Sequence, residues 1–222
     1  MKRRRDVERK SEIRLAIEEL SVAVKLEPAV AADRRESHIA AWPFLSLCSL
    51  ILQLLDEIGP TMAVLRQDVQ QNIQRLEMLC ESDPATYSNL VEMLRKEALD
   101  GTARQRDSCS RALVWLTRCV DLTAVLLQNL ANDPGQSMEE MVENSYSITM
   151  KPWHGWISAT AYRVALKLLP DSKTFMNLLM VKGQDFDTLK DEIQTLVSFL
   201  MPLLEDIHSI LKSYGVDRLK SP

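Results

Sequence analysis

Histidine, glycine and cysteine are all sparse in this 222-residue chain, and each shortage excludes something. The three histidines are His38, His154 and His208, with no HExxH and no pair at metal-ligand spacing, so neither a metal centre nor a cofactor is expected. Six glycines leave no Gly-rich phosphate loop, no G-x-S-x-G and few tight turns. The four cysteines, Cys48, Cys80, Cys109 and Cys119, form no CxxC, and a disulfide framework is not expected at this length. Reduced thiols point to a cytosolic setting. A net charge of −4 provides no basic field of the kind that nucleic-acid binders use. No apolar stretch follows Met1-Lys2-Arg3-Arg4-Arg5, so no signal peptide is expected. The most apolar segment, 40–55, reads as too short for a membrane span. Ser46, Ser49 and Gln53 recur through it at helical spacing, so it reads as an amphipathic helix.

What remains is regular. Hydrophobic residues make up 46%, enough to exclude wholesale disorder. Prolines punctuate segments in which apolar residues recur every three or four positions, and no segment alternates long enough to read as a strand. Helices are predicted at 11–25, 42–57, 61–80, 84–99, 109–131, 138–149, 153–168, 172–180, 186–200 and 203–213. Ser137 with Glu140 fits a capping box, Asp83-Pro84 a helix start and Gly215 a helix stop. The prediction is one all-α domain.

Three helices depart from a clean two-faced pattern. On a wheel of 61–80, Met62, Leu65, Val69, Ile73 and Leu76 form an apolar arc. Asn72 falls inside that arc, Asp68 just past it and Arg75 at its edge. A buried carboxylate and amide need partners, because an unsatisfied buried polar group costs roughly 1–3 kcal/mol. The pattern fits a structural polar network or a ligand site. The segment 109–131 is apolar almost all round, yet Arg111 and Arg118 project into the same arc as Trp115. These arginines could pair with a carboxylate such as Asp68, snorkel, or await an anionic or hydroxyl-bearing ligand. In 153–168, His154 falls with Ile157, Ser158, Ala161, Ala165 and Leu168 on the side expected to face the core. Trp156 lands opposite, with Thr160, Arg163 and Lys167. A Trp on a basic face suits either a membrane interface or contact with a flanking loop.

Taken in order, Asp68-x-x-x-Asn72-x-x-Arg75, Arg111-x-x-x-Trp115 and Trp153-His154-Gly155-Trp156 resemble the glycolipid transfer protein family, over nearly the whole chain from Pro43 to Tyr214. The resemblance implies a two-layer all-α sandwich that takes a sphingolipid between its layers and transfers it between membranes without covalent chemistry. It implies that Asp68 and His154 grip the ceramide amide and that Asn72 and Arg75 hydrogen-bond the head group. It further implies that Trp115 stacks under a sugar, that Tyr162 lines the apolar tunnel and that Trp156 touches the membrane. Residues 36–222 would form the lipid-transfer domain. Residues 1–35 would hold a first helix behind a basic extension, Lys2, Arg3, Arg4, Arg5, Arg9 and Lys10, either solvated or drawn to anionic membranes.

The match is mixed at the head-group positions. Asn72 and Trp115 follow the branch that binds glycolipids, whereas Arg111 stands where the ceramide-1-phosphate branch has its first phosphate-binding arginine, and Arg75 replaces a lysine. A sugar-bearing sphingolipid such as glucosylceramide is the first expectation and ceramide-1-phosphate the second. An acid–base pair of Asp68 and His154 is the weaker, enzymatic reading, because no catalytic motif accompanies it. A helical adaptor with a structural polar cluster is the remaining alternative.

Overall fold

The computed structural model describes residues 11–26 and 38–221, so the basic extension and the 35/36 boundary lie outside the described residues. Among the described residues ten α-helices follow in order: α1 (Glu12–Leu26), α2 (Ala41–Ile58), α3 (Ala63–Ser82), α4 (Pro84–Tyr87), α5 (Leu90–Leu99), α6 (Cys109–Asn132), α7 (Met138–Thr149), α8 (Trp156–Leu166), α9 (Ser172–Leu179) and α10 (Phe186–Ser213). No strand occurs among the described residues, and the helices form the expected two-layer sandwich. At its centre α6 packs against α3, α7 and α10, while α1 lies on α2 and α10. Ile13, Ala16 and Leu20 of α1 join the same core as Leu113, Leu116 and Leu130 of α6. By length and composition α2 and α6 could each cross a membrane, so the expectation that 40–55 is too short is corrected. Their apolarity serves the protein core: Phe44, Leu45, Leu47 and Cys48 of α2 and most of α6 are buried in it. Cys48, Cys80 and Cys109 are buried, Cys119 is half-buried, and none is paired.

The predicted helix 84–99 divides into α4 and α5. Asn89 turns its side chain to the backbone, accepting from Val91 N and Ile39 N at 3.1 Å each. Ser88 and Leu90 bond Ala41 and Ile39 through their backbones at 2.8 and 2.9 Å. Asn89 thereby caps α5 and docks the entry of α2, a long-range pairing that no local periodicity encodes. The predicted helices 186–200 and 203–213 are instead one helix running through Pro202. Proline leaves the carbonyl of residue 198 without its helical donor. Ser198 and Pro202 are both exposed, so that carbonyl can take a water, while Leu200, Leu204 and Ile207 hold both halves in the core.

Candidate functional site

One edge of the site comes from α3. Asn72 is buried, and its amide donates to the Asp68 carbonyl at 2.9 Å. Arg75 Nη1 donates to Asn72 Oδ1 at 3.4 Å, so the amide is held from both ends. Asp68 corrects an expectation. It is exposed rather than buried, and among the described residues its carboxylate makes no hydrogen bond or ion pair. Enough protein surrounds it to strip hydration and raise its carboxyl above the usual value, with Arg75 opposing. It does not pair with Arg111 or Arg118, which bond elsewhere.

The second edge begins at the N-terminus of α6, where Arg111 and Trp115 project. Ser108 caps this end by accepting from Arg111 N at 3.0 Å. Glu97 reaches over from α5 and accepts from Cys109 N and Ser110 N at 2.7 Å each and from the Ser110 hydroxyl at 2.6 Å. An anion at this dipole end fixes the helix start. The two edges meet where α3 packs on α6, with the Cys109 thiol 3.7 Å from the Arg75 carbonyl.

His154 turns toward the core as expected, but it does not lie on α8. It sits in an extended link between a 3-10 turn, Lys151–Trp153, and α8, whose first residue is Trp156. Its ring centroid is 5.4 Å from that of Trp115, and its Nδ1 is 3.0 Å from the Tyr146 hydroxyl. Burial, seconded by the charge of Arg118, lowers the histidine pKa below its ordinary value. A neutral imidazole that accepts from Tyr146 at Nδ1 keeps its proton on Nε2, where it can donate to a carbonyl. Below it, Tyr146 stacks on Tyr162 at 3.5 Å, and the buried Tyr162 hydroxyl donates to the Val142 carbonyl at 3.0 Å.

Helix α8 itself is anchored by Tyr162 and otherwise faces outward. Ile157, Ala161 and Leu168, expected on the core side, are exposed. With Val164 they make an exposed apolar arc, Leu168 lying just past the helix end, and Trp156, which is 79% exposed, stands beside it on the side that carries Thr160, Arg163 and Lys167.

Tyr146 and Arg118 support the site in ways that the helical pattern does not reveal. Tyr146 falls among apolar residues at helical spacing on α7 and reads there as core. Arg118, for which carboxylate pairing, snorkelling and ligand binding were all open, is 3% exposed and backs an aromatic pair. Its guanidinium lies 4.7 Å from the ring centroid of Trp115 and 4.4 Å from that of Trp153. A cleft of about 460 Å³ opens beside it between α6, α7 and α10, lined by Trp153, Leu204 and His208 among others, and reaches neither Asp68 nor His154.

Comparison with known proteins places the chain in a family. The profile of the family described as Glycolipid transfer protein (GLTP) matches residues 39–181. The chain belongs to the glycolipid transfer protein family. It is 52% identical over 216 residues to Glycolipid transfer protein 3 of Arabidopsis thaliana, covering 96% of this chain and 93% of that relative. Two solved structures share the fold at lower identity. The GLTP-fold structure of FAPP2, described as selecting simple glycosphingolipids, has a TM-score of 0.77 at 21% identity, covering 85% of this chain and 92% of that one. The ligand-free mouse ceramide-1-phosphate transfer protein has a TM-score of 0.79 at 15% identity, covering 93% and 99%. Every residue that the family resemblance singled out, from Asp68 to Tyr162, lies inside the matched span.

Proposed function

We propose that this protein carries a sphingolipid between membranes through the cytosol, binding it without chemical change, and that the lipid bears a sugar, as glucosylceramide does. The observation that carries the reading is Trp115. Its ring stands beside a neutral His154, is backed by Arg118 and lies on the helix that packs against Asn72. An aromatic face with amide donors and acceptors nearby suits a sugar ring better than a phosphate. In this role Asp68 accepts the ceramide N–H, His154 Nε2 donates to its carbonyl, and Asn72 and Arg75 bond the head group. The similarity to Glycolipid transfer protein 3 supports the same reading.

Transfer needs a carrier for an energetic reason. At about 0.8 kcal/mol per buried CH₂, two chains of roughly 15 carbons hold a sphingolipid in its bilayer. An apolar enclosure between helix layers, with Tyr162 in its wall, lowers that barrier. Polar groups at the mouth then reject head groups that leave them unpaired. The exposed arc, with Trp156 beside it, is the surface that meets the membrane during loading.

Ceramide-1-phosphate is the second reading, favoured by the two cations Arg111 and Arg118 close to Trp115. Transfer of labelled glucosylceramide and labelled ceramide-1-phosphate between phosphatidylcholine vesicles separates the two. Movement of the phosphate lipid alone overturns the sugar reading. Failure to extract any lipid, with the fold intact, leaves a helical adaptor.

A further inference from the structure

The last described residues run back across the site. After α10 the chain reverses at Gly215 (φ +65°), and Val216 is buried, donating to the Leu211 carbonyl at 3.0 Å. From there residues 216–221 form a strap whose backbone carbonyls are taken by arginines. Arg118 Nη1 donates to the Leu219 carbonyl and Nη2 to the Asp217 carbonyl, both at 2.8 Å, and Arg111 Nη2 donates to the Lys220 carbonyl. Arg104 holds the turn through the Gly215 carbonyl at 3.0 Å. The far end is sewn to the His154 link: Ser221 N donates to the Trp153 carbonyl, and Gly155 N donates to the Ser221 hydroxyl, each at 3.0 Å.

Arg111 and Arg118 stand two helical turns apart on one side of α6 and use neutral carbonyls as their hydrogen-bond acceptors. Asp121 and Asp217 act on Arg118 only through their charge fields. Burial and the like charge of Arg111 bring Arg118 down to about 10, which still leaves it protonated at neutral pH. The strap thus places neutral carbonyl oxygens where a phosphate would add opposite charge and a bidentate match to the guanidinium fork.

We infer that the strap 216–221 is the head-group specificity element of the site. In place, it takes both terminal nitrogens of Arg118 and one of Arg111, so that the site favours an uncharged sugar beside Trp115, Asn72 and His154. Displaced, it releases a two-arginine site for a phosphate head group. The inference rests on the sphingolipid-transfer reading above and concerns which class of head group is admitted.

The test uses the full chain carrying Leu219→Gly together with Ser221→Pro. The first change removes the partly buried Leu219 side chain that packs on the core, and the second removes both bonds to the His154 link. Accelerated amide hydrogen exchange across 216–221 reports that the strap has loosened. Transfer of labelled ceramide-1-phosphate relative to labelled glucosylceramide is then expected to rise about tenfold, one good charged contact's worth at ~1.4 kcal/mol. Adding Arg118→Gln to the loosened chain is expected to return the ratio to the native level. Two results overturn the inference: a ratio unchanged within about twofold despite faster exchange, or a gain that survives Arg118→Gln. Ser221→Pro alone, which keeps Leu219 packed, is judged by the same criteria if the pair does not fold. A native chain that moves no glucosylceramide overturns the sugar reading and not this one. What is measured here is the gain of phosphate lipid between the closed and the loosened strap.

Discussion

Replacing Trp156 by alanine tests the proposed membrane contact separately from the proposed lipid site. A tryptophan side chain offers about 150–250 Å². Of that, 79% is uncovered in the folded protein. Full immersion would therefore bury roughly 120–200 Å². At about 25 cal/mol per Å² this is worth roughly 3–5 kcal/mol as a ceiling. A ring lying at the head-group level keeps one edge wet, so about half of that, roughly 1.5–2.5 kcal/mol, is the working figure. Trp156→Ala is then expected to weaken vesicle association about 10- to 60-fold and to slow transfer with it. Because the side chain is exposed, folding stability should change by less than ~0.5 kcal/mol. Vesicle sedimentation, a two-vesicle transfer assay and a urea titration measure the three quantities. A variant that associates with vesicles within about twofold of the native chain would refute the assignment of the α8 arc to the membrane.

The remaining predictions concern the site and its supports. Glu97→Ala leaves two backbone N–H groups and a hydroxyl at the start of α6 without their anion. It should cost about 1.5–3 kcal/mol in a urea titration, with head-group affinity falling alongside. Trp115→Arg should shift transfer toward ceramide-1-phosphate, and an unchanged preference would place head-group choice elsewhere. The histidines predict opposite pH responses. His154 has its pKa depressed in the folded state, so its contribution is complete above its ordinary value of 6.5 and is lost as pH falls through the folded value. His208 has its pKa raised by its bond to Asp121, so its contribution is complete below 6.5 and is lost as pH rises through the folded value. Removing His208 should therefore leave a chain whose melting temperature falls more steeply on acidification. A shallower fall would reverse the assignment of these two groups.

Much of the fold could be read from the sequence because helix periodicity is a local property, and α2, α3, α6 and α7 begin and end close to where the pattern places them. The departures share a cause: they depend on contacts distant in the chain. Asn89 breaks a continuous-looking segment because it bonds Ile39, fifty positions away. Pro202 fails to break α10 because core contacts on both sides outweigh one lost hydrogen bond. At the site, the apolar arc of α3 correctly placed Asn72 inside. Asp68 sits only just past that arc, and whether such a residue is covered depends on the helix opposite. His154 was expected on a helix because the apolar period continues through it, but α8 starts only at Trp156. The strap was invisible for a different reason. Its bonds to Arg111 and Arg118 use backbone carbonyls, which every residue possesses, so no side-chain identity marks them.

The unpaired cysteines have a use of their own. Cys109 and Cys119 are both pushed up to about 12, chiefly by burial, and Cys48 and Cys80 are raised as well. Only the thiolate attacks an alkylating reagent, so in the closed protein all four are protected by protonation, and Cys48, Cys80 and Cys109 by burial as well. Cys48 belongs to α2 and Cys119 to α6, near enough to influence each other's ionisation. Any parting of the layers to admit a hydrocarbon chain would hydrate them and restore their reactivity. The rate of maleimide labelling in the presence of lipid vesicles is thus a built-in clock for how often the sandwich opens.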